Sequence, residues 1–294
     1  MPFAWKEMSS GDFAGFVGLL GPKIVRLGDM YWGEVRPCFY RPLLPFVAHD
    51  PATIRPPALA ALGGVQYAVA VDADANSTLN CLVFERTAEY TIAGLDKNRR
   101  RQVRLAARDF VIRPITNPAE FKRDAYPVYL SFHNRTGYKV GAERRDPVRF
   151  AAWADTLFRF PDVLILGGYR HDVLGGVSLT YRVGRTVFYA TFFCNDEALE
   201  LYLSDLMLHT VRESAAHSPE VNQVYAGMFK GIRGLDDFYL HRGARLIRQP
   251  ARLQINPLAR FLLGRLMPRQ FAQLHGHLSP EQLVQTGVAR GVAR

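Results

Sequence analysis

The 294-residue sequence is poor in cysteine, and its three thiols (Cys38, Cys81 and Cys194) lie far apart with no CxxC or Cys/His spacing. That excludes a disulfide framework or a zinc module read from spacing, and leaves buried free thiols as the expectation. No run approaches the ~18 consecutive apolar residues of a membrane-spanning helix. The opening Met1-Pro-Phe-Ala-Trp-Lys-Glu-Met8 carries an acidic residue and no apolar core of a leader peptide, so a cytosolic chain is expected. Internal repeats, Ser/His/Asp constellations and RNA-binding motifs are missing as well. Acid is in deficit: 37 Lys and Arg against 27 Asp and Glu leave a formal net charge of +10. A balance of that sign favours a phosphate-bearing cofactor, nucleic acid or an anionic membrane surface as partner.

What is present is an ordinary globular composition, 48% hydrophobic and 22% charged, long enough for two cores. The most patterned stretch runs from Val163 to Leu253. Val163-Leu-Ile-Leu-Gly-Gly-Tyr169, Val173-Leu-Gly-Gly-Val-Ser-Leu-Thr-Tyr-Arg182 and Thr186-Val-Phe-Tyr-Ala-Thr-Phe-Phe-Cys194 are β-rich runs separated by His171-Asp172 and Val183-Gly184-Arg185. They read as a meander of three strands joined by tight turns. A helix from Glu197 to about Ala216, a short strand over 222–226, a helix from Leu235 to about Arg242 and a strand from Arg245 to Leu253 follow.

This order of elements, with Tyr239 four residues before Gly243 in Asp237-Phe-Tyr-Leu-His-Arg-Gly-Ala-Arg245, resembles the GNAT acyltransferase superfamily. Within it the chain looks most like the Fem-type (FemAB-like) transferases, which carry two such domains. The resemblance implies an α/β fold with a mixed sheet in two GNAT-like halves. The expected boundaries are a reduced first half over 1–94, a basic linking helix and strand over 95–118, a complete second half over 119–254 and a helical tail over 255–294.

The resemblance also implies a chemistry. GNAT proteins splay two neighbouring parallel strands so that backbone N–H groups point at the reacting carbonyl, which needs no catalytic triad. The matching positions are Phe193 and Cys194 at the end of the third meander strand, and Tyr225 on the short strand. Tyr239 stands where many members place the phenol that protonates a departing coenzyme A thiolate; a packed ring is the alternative. The donor is acyl-coenzyme A or, as in Fem-type enzymes, aminoacyl-tRNA. Coenzyme-A-binding members hold the pyrophosphate on a basic, Gly-rich loop, whereas this chain has Asn195-Asp196-Glu197 there, whose carboxylates repel a diphosphate. The amine acceptor is left open, as is a catalytically silent module binding an anionic partner.

Further candidates come from the residues themselves. Leu95 to Arg108 reads as a helix capped by Asp96, with Lys97, Arg101, Arg104 and Arg108 on one face and Val103, Ala107 and Phe110 on the other. It is similar to the basic helix that links the halves of Fem-type proteins, and its charge suits tRNA or a phosphorylated substrate. Asp205 and His209, one turn apart beside Tyr202 and Arg212, could serve as a base on an acceptor amine or form a solvated helix face. Lys230 and Arg233, in a Gly-rich loop, are candidate substrate-binding residues. The aromatic, Pro-rich Tyr31–Phe46 segment reads as extended chain, a wall of a pocket or a packed segment. Pro51–Leu62 and two stretches within 119–160 read as helices, the latter broken at Asn134–Gly137 beside His133. After Asn256-Pro257, apolar residues from Phe261 to Met267 alternate with Arg260, Arg265 and Arg269, a basic amphipathic piece that docks on the protein body or touches an anionic membrane. Ser279-Pro-Glu-Gln282 has the form of a capping box.

Overall fold

A computed structural model describes residues 2–71, 73–231 and 233–277. The expected capping box at Ser279 lies outside the described residues. The chain forms helix α1 (Ser10–Leu19), strands β1 (Ile24–Leu27), β2 (Met30–Arg36), β3 (Phe39–Pro42), β4 (Gly64–Ala68) and β5 (Ser77–Glu85), and helix α2 (Lys97–Asp109). Strand β6 (Val111–Pro114) and helices α3 (Pro118–Thr136) and α4 (Pro147–Phe158) lead to strands β7 (Leu164–Arg170), β8 (Val173–Val183) and β9 (Thr186–Cys194). Then come helices α5 (Asp196–Glu200) and α6 (Leu203–Ala216), strand β10 (Gln223–Met228), helix α7 (Arg233–Leu240), strand β11 (Arg245–Ile255) and helices α8 (Pro257–Leu266) and α9 (Pro268–Leu274). None of the described helices is long and apolar enough to cross a membrane.

Two compact units divide the chain: Met1–Phe16 with Phe84–Gly227, and Val17–Val83 with Met228–Arg294. In the first, strands run in the order β10-β9-β8-β7-β6, with β10 parallel to β9 and every other pair antiparallel. The β7–β8 turn places His171 and Asp172 at φ 48° and 62°, the doubly left-handed turn whose twist matches a hairpin. The expected meander is therefore present. The first residues of the chain also belong here: Trp5 Nε1 donates to Thr180 Oγ1 at 2.9 Å, and the Met8 amide donates to the Arg182 carbonyl at 2.8 Å.

Side-chain oxygens at the N-caps fix where the helices of this unit start. Asp96 accepts from the Asn98 and Arg99 amides, Asn117 from Ala119 and Glu120, and Asp146 from Arg149. The periodic apolar residues of α3 and α4 turn inward, and Phe121, Tyr129, Phe150, Trp153 and Phe193 make one aromatic core with ring centroids 5.2–6.3 Å apart. On α2 the buried positions are Val103, Ala106 and Phe110, spaced three and four apart, so Ala106 takes the inward place expected of Ala107, which is exposed. The helix expected over 197–216 is broken at Leu201–Tyr202, where Tyr202 adopts φ 63° and separates α5 from α6.

The second unit has the strand order β1-β2-β3-β4-β11-β5, with β3 and β4 parallel and the rest antiparallel. Strand β11, expected in the second half of the chain, instead pairs with both β4 and β5, from Ala251↔Ala68 to Arg245↔Val83. Pairing partners are set by packing, which chain order does not record. Pro51–Leu62 yields only a short 3-10 turn over Ala58–Ala61 in place of the expected helix. The Pro56-Pro57 pair supplies no amide donors and holds Pro57 extended, at ψ 142°. In the aromatic segment, Glu34 turns back on its own hairpin and accepts from the Cys38 amide at 2.7 Å.

Candidate active site

The parallel pair β9–β10 is short. Its register runs Gln223↔Thr186, Val224↔Val187 and Tyr225↔Phe188, and there the ladder ends. Strand β9 continues to Cys194, still paired with β8. At the point of separation β9 carries a bulge: Leu179 faces Thr191 and Thr180 faces Tyr189, so Ala190 has no register partner on β8. Ala190 is exposed and Thr191 and Phe192 are half-buried, whereas Thr186 to Tyr189 are buried. A bulge of this kind bends a strand and re-aims its peptide groups, and bulges are enriched beside active sites. On the other strand Gly227 takes φ 116°, a conformation that L side chains rarely adopt.

Two arginines flank the passage from β9 into α5. Arg135, in the last turn of α3, donates from Nη2 to the Cys194 carbonyl at 3.0 Å and pairs through Nη1 with Asp196. Arg170 pairs with Glu197. Both carboxylates that open α5 therefore have a cation beside them, and the Arg135 hydrogen bond holds the Asp196 carboxyl below the usual range. Asn195 caps α5 by accepting from the Ala198 amide at 2.8 Å. No sequence signal pointed to these arginines: 59 residues separate Arg135 from Cys194.

The structure brings some of the singled-out residues together. Tyr225 lies opposite Phe188 with ring centroids 5.3 Å apart. Phe193 is farther along β9; its ring is buried against Tyr129, Phe132 and Trp153, which leaves only its backbone for chemistry. Cys194 is buried, and burial pushes its thiol up to about 11, so it is no thiolate at neutral pH. Cys81, also buried, is pushed up to about 12.

Asp205 and His209 lie on α6 with separate partners. Asp205 is buried, 3.4 Å from Arg99 Nη1 on α2. His209 Nδ1 lies 2.8 Å from the Tyr90 hydroxyl and Nε2 lies 3.9 Å from the Glu213 carboxylate. Arg212 covers the Tyr90 and Phe84 rings at 3.9 and 4.4 Å. Burial lowers the His209 imidazole, with Arg212 adding to the effect and Glu213 opposing it; burial also pushes the Tyr90 phenol up to about 12. His133, beside the helix break, is a core histidine whose ring lies tilted against Tyr129 with centroids 4.4 Å apart.

Lys97, Arg101, Arg104 and Arg108 all face solvent on α2, and no ion pair among the described residues engages them. Arg99 and Arg100 turn inward instead, to Asp205 and to the Ala93 carbonyl at 3.2 Å.

Tyr239, Lys230 and Arg233 belong to the second unit. Tyr239 is nine-tenths buried in the last turn of α7; its carbonyl accepts from the Ala244 amide at 3.0 Å and its ring packs edge-on against Phe238. Lys230 is exposed, its amide donating to Asp236 Oδ1 at 3.2 Å and its carbonyl accepting from Gln273. Arg233 opens α7.

No protein-family profile matches the chain, and no curated protein sequence does. Solved structures do match its fold. The C-terminal domain of a protein described as a lysylphosphatidylglycerol synthetase from Agrobacterium fabrum is similar over 90% of this chain and 92% of that one, at TM-score 0.60 and 9% identity. FemX matches over 87% and 93% at TM-score 0.58 and 12% identity. L-PGS from Bacillus licheniformis matches over 90% and 93% at TM-score 0.53 and 11% identity. At such identities the likeness is one of architecture, and it spans nearly the whole of each chain: the protein has a GNAT-like fold of the Fem type.

Proposed function

We propose that this protein is an acyltransferase that moves an acyl or aminoacyl group onto an amine, using main-chain amides where β9 and β10 part. The observation that carries the reading is the ladder that stops at Phe188↔Tyr225 and is followed by the Ala190 bulge. In such a transfer the amine attacks the acyl carbon, negative charge gathers on the carbonyl oxygen, and the bond to the leaving group breaks. Amide donors fixed by the sheet stabilise that charge without reorganising. The amine loses a proton and the leaving group gains one. The reading needs no base from Asp205 and His209, whose contacts with Arg99 and Tyr90 hold α6 in place.

Aminoacyl-tRNA is the favoured donor, because the exposed face of α2 offers Lys97, Arg101, Arg104 and Arg108 to a polyanion. Acyl-coenzyme A is the second reading. Against it, the start of α5 has no basic, Gly-rich loop, and the two cations there, Arg135 and Arg170, are already paired with Asp196 and Glu197. A thermal-shift panel of acyl-coenzyme A species against charged tRNA separates the two. Charged tRNA is expected to raise the melting temperature, to bind less tightly as salt rises, and to lose binding in the Arg101→Glu, Arg104→Glu double variant. Stabilisation by acetyl-coenzyme A alone overturns the donor assignment. Deleting Ala190 is expected to abolish transfer in a protein that still folds; full activity in that variant, or no transfer from either donor in the parent, overturns the reading as a whole.

A further inference from the structure

From Phe238 to Pro280 the sequence contains seven arginines and no aspartate or glutamate. Helix α8 lies in this tract. It starts cleanly, with Asn256 accepting from the Leu258 amide at 2.9 Å and Pro257 at the first helical position. Its residues 258, 261, 262, 265 and 266 recur at the spacing of one helix face. In α4 the same spacing buries Phe150, Trp153 and Leu157. In α8 it does the reverse: Leu258 is 67% exposed, Phe261 63%, Leu262 45% and Leu266 72%. Ala259, Leu263 and Gly264, beside the stripe, are the half-buried ones. The apolar stripe points to water and carries Arg265 within it, with Arg260 and Arg269 also exposed.

A stripe of this kind calls for an occupant that is apolar inside and anionic at its rim. A second copy of the chain would bring arginine against arginine. A helix of ten residues, about 15 Å long, is too short to span a bilayer and suited to lying in its surface. Arginine stems reach from such a depth back to the phosphates. We propose that α8 docks the protein on a membrane surface rich in anionic lipid, with Leu258, Phe261, Leu262 and Leu266 among the upper acyl chains and Arg260, Arg265 and Arg269 at the headgroups. The inference is independent of the transfer reaction.

The test uses the full chain carrying Phe261→Trp. The three native tryptophans, Trp5, Trp32 and Trp153, are buried, so a change in emission reports position 261. With vesicles of phosphatidylcholine and phosphatidylserine the emission is expected to shift to the blue and to be quenched by brominated acyl chains. Phosphatidylcholine alone should give neither effect. In the otherwise unaltered chain, Leu262→Glu with Leu266→Glu is expected to weaken vesicle binding about tenfold or more while melting is unchanged, since both side chains face solvent. Three results overturn the proposal: no blue shift with anionic vesicles, vesicle binding indifferent to the double variant, or a blue shift without lipid accompanied by dimerisation.

Discussion

Facing glycines bring α6 close to the sheet, and a double-mutant cycle measures how tightly. Gly168 and Gly176 are register partners on β7 and β8, and Leu203, the first residue of α6, is fully buried against both. A Cβ at Gly168 would stand 2.5 and 2.9 Å from the two Leu203 methyl carbons, closer than real Cβ atoms come. Gly168→Ala alone should cost about 1–3 kcal/mol, as overpacking of a filled core does. Leu203→Ala alone should cost about 2–5 kcal/mol through lost burial and the cavity left behind. Combined, the added methyl enters space that the leucine has vacated. The double variant should then be more stable than the sum of the two costs by about 1–3 kcal/mol. Urea midpoints followed by far-ultraviolet circular dichroism give the four corners. Gly176→Ala is the control: its Cβ also meets Cys194 Cβ at 2.9 Å and the Phe193 carbonyl at 3.1 Å, so truncating Leu203 removes only part of the strain. Costs that add within about 0.5 kcal/mol for Gly168 and Leu203 would refute the account of the contact.

Asp205→Ala should destabilise by about 2–3 kcal/mol, below the full cost of breaking a buried pair because Arg99 keeps 24% exposure and a bond to Gln102. Arg99→Met in the same background should recover part of the loss in a thermal melt; no recovery would sink the pairing. Acidification should weaken the fold through His209. Its folded pKa lies below the unfolded value near 6.5, so the unfolded chain binds the extra proton, and this contribution is present above pH 6.5 and lost as pH falls through the folded value. His49, His133 and His275 are shifted the same way by burial, so His209→Gln should remove one share of the acid slope. Per proton the limit is about 1.4 kcal/mol per pH unit, read from denaturation midpoints between pH 7.5 and the acid range. An unchanged slope in the variant would contradict the buried, neutral imidazole.

Local chemistry made much of this fold legible in the sequence. Asp96, Asn117, Asp146 and Asn256 mark helix starts because a side-chain oxygen must replace a missing backbone acceptor, and those positions can be read without coordinates. The meander is readable because its turns require left-handed residues such as Gly184. What escaped was everything fixed by partners distant in sequence. The two Gly-Gly pairs at 167–168 and 175–176 stand within β-rich runs, and nothing local shows that Leu203 and Ala198 press on them. Arg135 looks like part of a loop break, yet it grips the end of β9. Asp205 and His209 share the spacing of a catalytic pair, but neighbouring elements engage each through separate contacts, which spacing on a single helix cannot reveal. The stripe on α8 has the period of a core helix and the opposite orientation, because period alone does not say which side is packed.

The placement of β11 sets an order on biosynthesis. Ala251 pairs with Ala68 across 183 residues of chain, so β4 and β5 leave the ribosome long before the strand that joins them has been made. All the strands of the first unit, β6 to β10, lie in the intervening sequence, where contacts are nearer along the chain, and can fold while the earlier hairpins wait. Until translation passes Ile255, the edges of β4 and β5 that face β11 stay open to any other extended segment. A chain cut short before Arg245 should therefore be prone to aggregate even though the strands around β9 are complete.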